Sequence, residues 1–211
     1  MKQLYCLYYI VQKLKDKYGV EGHYQKLSEE SYMALEIMNF PSGYYYDIIK
    51  ATLKQLDVML CKFSKVLVLR LDLRLEQYSK DNKVVSQFIN SIQKKIKKTY
   101  GEFAYIWVRE QNKADKQHYH IAYFFNGHKI IHPSKVISLI QAGWFKASAG
   151  GTLYIPEHCF YQLFTNQPNF YDNFKEAVYR LSYLAKCYSK RRVSQSVKNY
   201  SSSRLEYSEG S

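Results

Sequence analysis

The stretch KVLVLRLDLRL, residues 65–75, constrains the fold more than any other part of the chain. Leu67, Leu69, Leu71, Leu73 and Leu75 occupy every second position, with Val68, Arg70, Asp72 and Arg74 between them. A period of two does not suit a helical stripe and predicts a strand whose leucine face is buried. The opposite face carries two arginines and an aspartate, groups that can meet a polyanion or one another. A chain of 211 residues is long enough to build one substantial core around such a strand.

The neighbouring segments extend this reading. A basic helix is expected over about 82–99, with Val85, Phe88, Ile89, Ile92 and Ile96 inward and Lys94, Lys95, Lys97 and Lys98 mostly outward, closed by Tyr100-Gly101. FAYIWVRE (103–110) and HYHIAYFF (118–125), separated by a polar NKADKQ, predict an antiparallel hairpin. A short helix is expected near 133–142, where Pro133 is tolerated in the first turn. Gly150-Gly151 precedes an expected strand, TLYI, and a last helix is expected over about 171–190 with Phe174, Val178, Leu181, Leu184 and Tyr188 on its buried side. The order strand, helix, hairpin, helix, strand, helix predicts an α+β fold, an antiparallel sheet with helices packed on one face. Upstream, helices are expected over 1–20 and about 45–61, so residues 1–60 read as a helical extension or cap. Residues 61–192 read as the main domain, and 193–211 as a basic, Ser-rich tail that frays.

Charge and cysteine usage narrow the class. The formal net charge is +13, and the chain holds 22 tyrosines. Lysines and arginines neutralise phosphates and aromatic faces accept stacked bases, so nucleic acid is the expected partner. Cys6, Cys61, Cys159 and Cys187 are scattered without a CxxC pair, which points to reduced thiols and away from a thiolate zinc site. No stretch is apolar enough to span a bilayer, and LYCLYYIV near the N-terminus lacks a small-residue cleavage site and reads as folded protein.

His118 and His120 flank Tyr119, and strand parity places both imidazoles on one face. An HxH triplet is a weak signal alone, and two partly exposed strand histidines are the bland alternative. Glu110 ends the partner strand of the same hairpin, where register can set it beside them. Two imidazoles and one carboxylate leave open positions on an octahedral ion, which suits Mn²⁺ or Mg²⁺ gripping a phosphate. Asp72 is a candidate for orienting that site from the next strand, or equally for pairing with Arg70 or Arg74.

Metal activation of a phosphodiester calls for an attacking group. YRLSYLAK places Tyr179, Tyr183 and Lys186 at i, i+4 and i+7 of one helical stripe. A phenol titrating near 10 is a poor nucleophile at neutral pH, which a nearby ammonium and a metal-polarised phosphate would correct. In a chain this rich in tyrosine, a YxxK will also recur by chance.

Glu110, then His118-Tyr119-His120, then Tyr183-Leu184-Ala185-Lys186 resembles the HUH endonucleases that initiate rolling-circle replication. With VLRLDL, YIWVREQ, HYHIAYFFNG and VYRLSYLAK, the likeness is closest to the replication initiators of filamentous phages and their integrated relatives, the YagK/YfjJ C-terminal domain group. It covers about residues 60–190. The resemblance implies an HUH Rep-like sheet related to the ferredoxin-like and RRM arrangements, with 61–192 as the endonuclease domain. It implies a divalent ion on Glu110, His118 and His120, with Tyr183 as nucleophile, Lys186 as its helper and Tyr179 as a possible second tyrosine. Such an enzyme nicks single-stranded or hairpin origin DNA in the cytoplasm of a bacterial host, leaving a 5′-phosphotyrosine and a 3′-hydroxyl for a polymerase. Arg70, Arg74, Lys94, Lys95 and Lys98 would line the strand's path, and Lys190, Arg191 and Arg192 would grip phosphates. With no GxxxxGK[ST] loop in the chain, a host helicase would unwind. The alternatives are an HUH transposase, a conjugative relaxase using Tyr5, Tyr8 or Tyr9, and a non-catalytic nucleic-acid-binding module. A pocket joining Glu110, His118, His120 and Tyr183 would separate enzyme from module.

Overall fold

The computed structural model of the chain describes residues 35–111, 116–187 and 197–207. The helix expected over 1–20 lies outside them. Helices α1 (Tyr46–Lys62), α2 (Lys83–Tyr100), α3 (Ser134–Ala147) and α4 (Phe170–Ser182) accompany six strands. These are β1 (Lys65–Arg74), β2 (Phe103–Glu110), β3 (His118–Asn126), β4 (Thr152–Tyr154), β5 (Phe160–Phe164) and β6 (Tyr200–Ser202). Single 3₁₀ turns occupy Gly127–Lys129 and Tyr183–Ala185.

All strand pairings are antiparallel, in the order β4-β1-β3-β2-β6, with β5 sharing the outer edge of β1 with β4. The leucine face of β1 is buried as its period requires. Leu67, Leu69, Leu71 and Leu73 pack with Trp107, Tyr119, Ile121, Tyr123 and Phe125 under α2 and α3. Each such aliphatic side chain contributes about 1.5–3 kcal/mol when removed from water.

The expectation of helices on one face is corrected. Val66 and Val68, on the other face of β1, are also buried, with Ala104, Ile106, Val108, Ala122 and Phe124, beneath α1 and α4. The polar residues Arg70, Asp72 and Arg74 suggest an open face, but they occupy only the C-terminal half of the strand. Helix α1 falls within the stretch read as an extension, yet Ile48, Leu53, Leu56 and Met59 are buried in this second core.

Three further differences have local causes. The last helix stops at Ser182 instead of continuing to about 190. The segment before α1 takes its place: Tyr45 N–H donates to Ala185 O at 2.7 Å, Cys187 N–H donates to Gly43 O at 3.1 Å, and Lys186 is extended. Ser182 is also engaged, accepting from Met38 N–H at 2.9 Å. Residues 200–202, read as part of a fraying tail, form β6 along Ile106–Val108 of β2. Strand β5 was not expected, and it pairs with Lys65–Leu69.

Gly150 and Gly151 bring β4 onto β1. Gly150 has φ +106°, and a Cβ on Gly151 would lie 2.5 Å from the carbonyl oxygen of Arg74. That carbonyl also accepts from Trp144 Nε1–H at 3.0 Å, so α3, β1 and β4 meet there. Among the described residues, no helix is long and apolar enough to cross a membrane.

Candidate metal centre and tyrosine

The face of the sheet beneath α1 and α4 changes character along its length. On β1 it runs from Val66 and Val68 to Arg70, Asp72 and Arg74, and on β2 from Ala104, Ile106 and Val108 to Glu110. On β3, running the opposite way, it begins at His118 and His120 and becomes Ala122 and Phe124. Antiparallel register aligns these polar ends. Glu110 pairs with His118, His118 with Arg74, and His120 with Asp72. Directly opposed residues of paired strands share a face, so the row is a direct product of the three sequences and their pairing.

Glu110, His118 and His120 form a cluster able to hold a divalent metal, with one ligand atom from each lying within 4.8 Å of the others. Glu110 Oε2 lies against His120 Nε2 and 3.6 Å from His118 Nε2. The other nitrogen of His120, Nδ1, is 2.6 Å from Asp72 Oδ1. His120 is thus held between two carboxylates and is only 2% exposed. When Nδ1–H donates to Asp72, the Nε2 lone pair faces a carboxylate oxygen, an arrangement that calls for a cation or a proton between the two acceptors. A carboxylate behind a ligating histidine fixes ring and tautomer, as Asp72 is placed to do. The imidazole and carboxylate donors fit Mn²⁺ or Mg²⁺, and zinc also accepts them.

The charges are mutually arranged. Burial pushes the Glu110 carboxyl up, but hydrogen bonds with His118 and His120 and the charge of Lys186 outweigh it and hold Glu110 well below the usual carboxylate range. Asp72 is lowered in the same way: burial opposes, and its hydrogen bond to His120 with the charge of Arg70 prevails. Arg70 Nη2 is 3.4 Å from Asp72 Oδ1.

Tyr183 opens the 3₁₀ turn that ends α4, and its ring stands edge-on to His120 at 5.2 Å between centroids. Lys186 connects it to the cluster, with Nζ 3.0 Å from the Tyr183 hydroxyl and 3.2 Å from Glu110 Oε1. Burial would lower the Lys186 pKa, but the Tyr183 contact and the Glu110 charge outweigh it, so Lys186 is held above its ordinary value as an ammonium. Arg70 lies over the Tyr183 ring at 4.3 Å, and Phe40 meets the ring edge-on at 6.0 Å. No local sequence signal connects Phe40 or the 43–45 segment to this tyrosine, because both reach it only through long-range pairing.

Several sequence candidates lie elsewhere. Tyr179 is 39% exposed, and among the described residues no hydrogen bond, ion pair or ring contact joins it to Glu110, His118 or His120. Tyr179 lies within α4, whereas Tyr183 opens the 3₁₀ turn at its end. Lys94, Lys95 and Lys98 are on α2, across the sheet from the cluster. Lys94 lines a separate cavity of about 500 Å³ with Lys97, Tyr105 and Arg204, which does not include Glu110, His118 or His120. Arg74, by contrast, stays with the cluster, exposed and paired with His118. Lys190, Arg191 and Arg192 are outside the described residues, as are Tyr5, Tyr8 and Tyr9.

Residues 27–203 match the family described as the YagK/YfjJ C-terminal domain. The chain belongs to that family. Over 113 residues it is 30% identical to the uncharacterized protein YagK of Escherichia coli (strain K12), covering 48% of this chain and 54% of YagK. The chain therefore spans about half the length of that curated relative. No solved structure matches it. The family segment takes in α1 and β6 as well as the whole row from Asp72 to Lys186.

Proposed function

We propose that this YagK/YfjJ family member is a metal-dependent HUH endonuclease and strand transferase that nicks and rejoins single-stranded or hairpin origin DNA for rolling-circle replication. The observation that carries this reading is the bridge made by Lys186, which ties the Tyr183 hydroxyl at 3.0 Å to the ligand carboxylate of Glu110 at 3.2 Å. A tyrosine in a merely structural role has no need of an ammonium shared with a metal-ligating carboxylate.

Glu110, His118 and His120 would hold Mn²⁺ or Mg²⁺, which supplies Lewis-acid polarisation of the scissile phosphate when bound. Tyr183 Oη attacks phosphorus. The P–O3′ bond breaks and the 3′ oxygen leaves as a hydroxyl, while the phenol's proton passes to solvent and solvent supplies one to the leaving oxygen. Lys186, as an ammonium, stabilises negative charge on the tyrosine oxygen and on the phosphoryl oxygens. Arg70, with its guanidinium 4.3 Å from the ring centroid, also holds the ring. The 5′-phosphotyrosine conserves the bond energy, so a later 3′-hydroxyl can displace Tyr183 and rejoin the strand. Tyr179, exposed and apart from the cluster, is at most an auxiliary acceptor. Arg74 and the basic 190–192 segment would serve phosphate contacts, and a host polymerase and helicase would extend and unwind in a bacterial cytoplasm.

The test is incubation with single-stranded origin DNA and Mn²⁺, followed by a denaturing gel and peptide mapping. A covalent adduct on Tyr183, lost with EDTA and in Tyr183→Phe and only weakened in Tyr179→Phe, is expected. An adduct that survives in Tyr183→Phe refutes the assignment of the nucleophile. Tight binding with no adduct under any divalent metal makes the protein a binding module.

A further inference from the structure

The polar row does not end at the metal ligands. Strand β4 continues the same face across the outer edge of β1, pairing Thr152 with Arg74 and Tyr154 with Asp72. One cross-strand row therefore reads Glu110, His118, Arg74, Thr152, and the next reads Val108, His120, Asp72, Tyr154. Tyr154 lies on the cluster's face, two strands from His120, or about 10 Å at the usual strand spacing. Its side chain is not absorbed by the core, being 48% exposed in a sheet whose other aromatic side chains are mostly buried.

Tyr154 is also held in place. The guanidinium of Arg74 lies over its ring at 4.9 Å, the diagonal contact that neighbouring strands allow between long side chains. Its strand is fixed by the close approach at Gly151, where the backbone of β4 passes the Arg74 carbonyl. The two arginines of β1 on this face thus each cover a tyrosine: Arg70 covers Tyr183 inside the site, and Arg74 covers Tyr154 at its rim.

We propose that Tyr154 and Arg74 form a stacking platform for the base next to the scissile phosphate, with the Arg74 guanidinium also donating to the adjoining phosphate. This rests on the reading of the site as a single-strand nuclease and adds to it the residues that position the strand. An aromatic ring accepts any base, and a guanidinium stacked on that ring offers both a planar face and donors for phosphate oxygens. A phosphate at the cluster and a base on Tyr154 would keep the strand running outward along the row. Tyr154 is a positioning residue and touches no reacting atom.

The experiment uses the full chain and a thymidine-rich single-stranded oligonucleotide carrying 2-aminopurine, in EDTA so that nothing is cut. Wild type should bind and quench the 2-aminopurine emission by stacking. Tyr154→Ala should lose most of the quenching and bind roughly 5- to 100-fold more weakly, the range for removing one base–aromatic stack. Tyr154→Phe should restore both, which a merely structural loss at an exposed edge tyrosine would not predict for the quenching signal. Quenching and affinity unchanged in Tyr154→Ala would overturn the platform and leave the nuclease reading standing. Failure of wild type to bind any single strand, in EDTA and with Mn²⁺ alike, would overturn both.

Discussion

Asp57 offers a direct test of the energetics of the α1/α4 core. It is 2% exposed, its Oδ2 accepts from the Tyr207 hydroxyl at 2.6 Å, and among the described residues its Oδ1 has no hydrogen-bond partner. Burial pushes its carboxyl from the ordinary 3.8 up to about 6, and the Tyr207 hydrogen bond offsets only part of that rise. At 1.36 kcal/mol per pH unit, keeping this group ionised in the fold costs about 3 kcal/mol. Because the folded-state pKa is raised, the folded protein binds the proton more tightly than the unfolded chain does. Asp57 therefore imposes no cost below about pH 4, and stability falls as pH rises toward and past 6. Glu110 and Asp72, both lowered, act in the opposite sense: their stabilisation is present above the ordinary carboxylate range and lost as pH falls. Asp57→Asn isolates the one contribution. The amide keeps an acceptor for Tyr207 and removes the charge, so urea unfolding at about pH 7.5 should show the variant more stable by about 3 kcal/mol. The difference should nearly vanish at about pH 4. A variant equally stable or less stable than wild type at the higher pH, or a gap that does not close on acidification, would refute the reasoning.

Asp72→Asn should weaken Mn²⁺ binding measured by calorimetry about 10- to 100-fold, the usual consequence of losing the carboxylate behind a ligating histidine. Lys186→Met should slow adduct formation roughly 100-fold at saturating metal, as loss of one charge-stabilising donor does in other transfer reactions; an unchanged rate would remove Lys186 from the chemistry. Gly151→Ala should destabilise the fold by about 1–3 kcal/mol, because the added methyl meets the Arg74 carbonyl, and thermal unfolding will measure it.

The strands and helices with strong periodicity were legible. KVLVLRLDLRL, the α2 pattern and the 103–125 hairpin specify themselves locally, and the hairpin register alone brings Glu110 to His118. Arg70, Asp72 and Arg74 suggest an exposed second face of the sheet, but they do not run its length. They instead mark where the α1/α4 core ends and the site begins, and Glu110, His118 and His120 mark the same boundary on the adjoining strands. Three strands whose one face is apolar at one end and polar at the other form a pattern visible in sequence, if the pairing is supplied. Strands β5 and β6 carried no such pattern: β6 is three residues long and owes its conformation to the edge of β2. The early stop of α4 was equally hidden, because Gly43 and Tyr45 lie some 140 positions upstream of the residues whose backbone they engage.

The pairing of Glu110 with His118 has a consequence for how such chains can diverge. These residues close the hairpin's last rung, so their alignment depends on the rung and not on the number of residues connecting them. A change of length ahead of Gln117 should leave Glu110 and His118 paired. A single insertion inside β1, β2 or β3 instead exchanges the two faces of that strand beyond it, carrying Asp72, Glu110 or a histidine of the cluster out of line with its partners. Tolerance to insertions should therefore be partitioned along the sequence, greater between the acid and the buried Gln117 that precedes the first histidine than within the strands on either side.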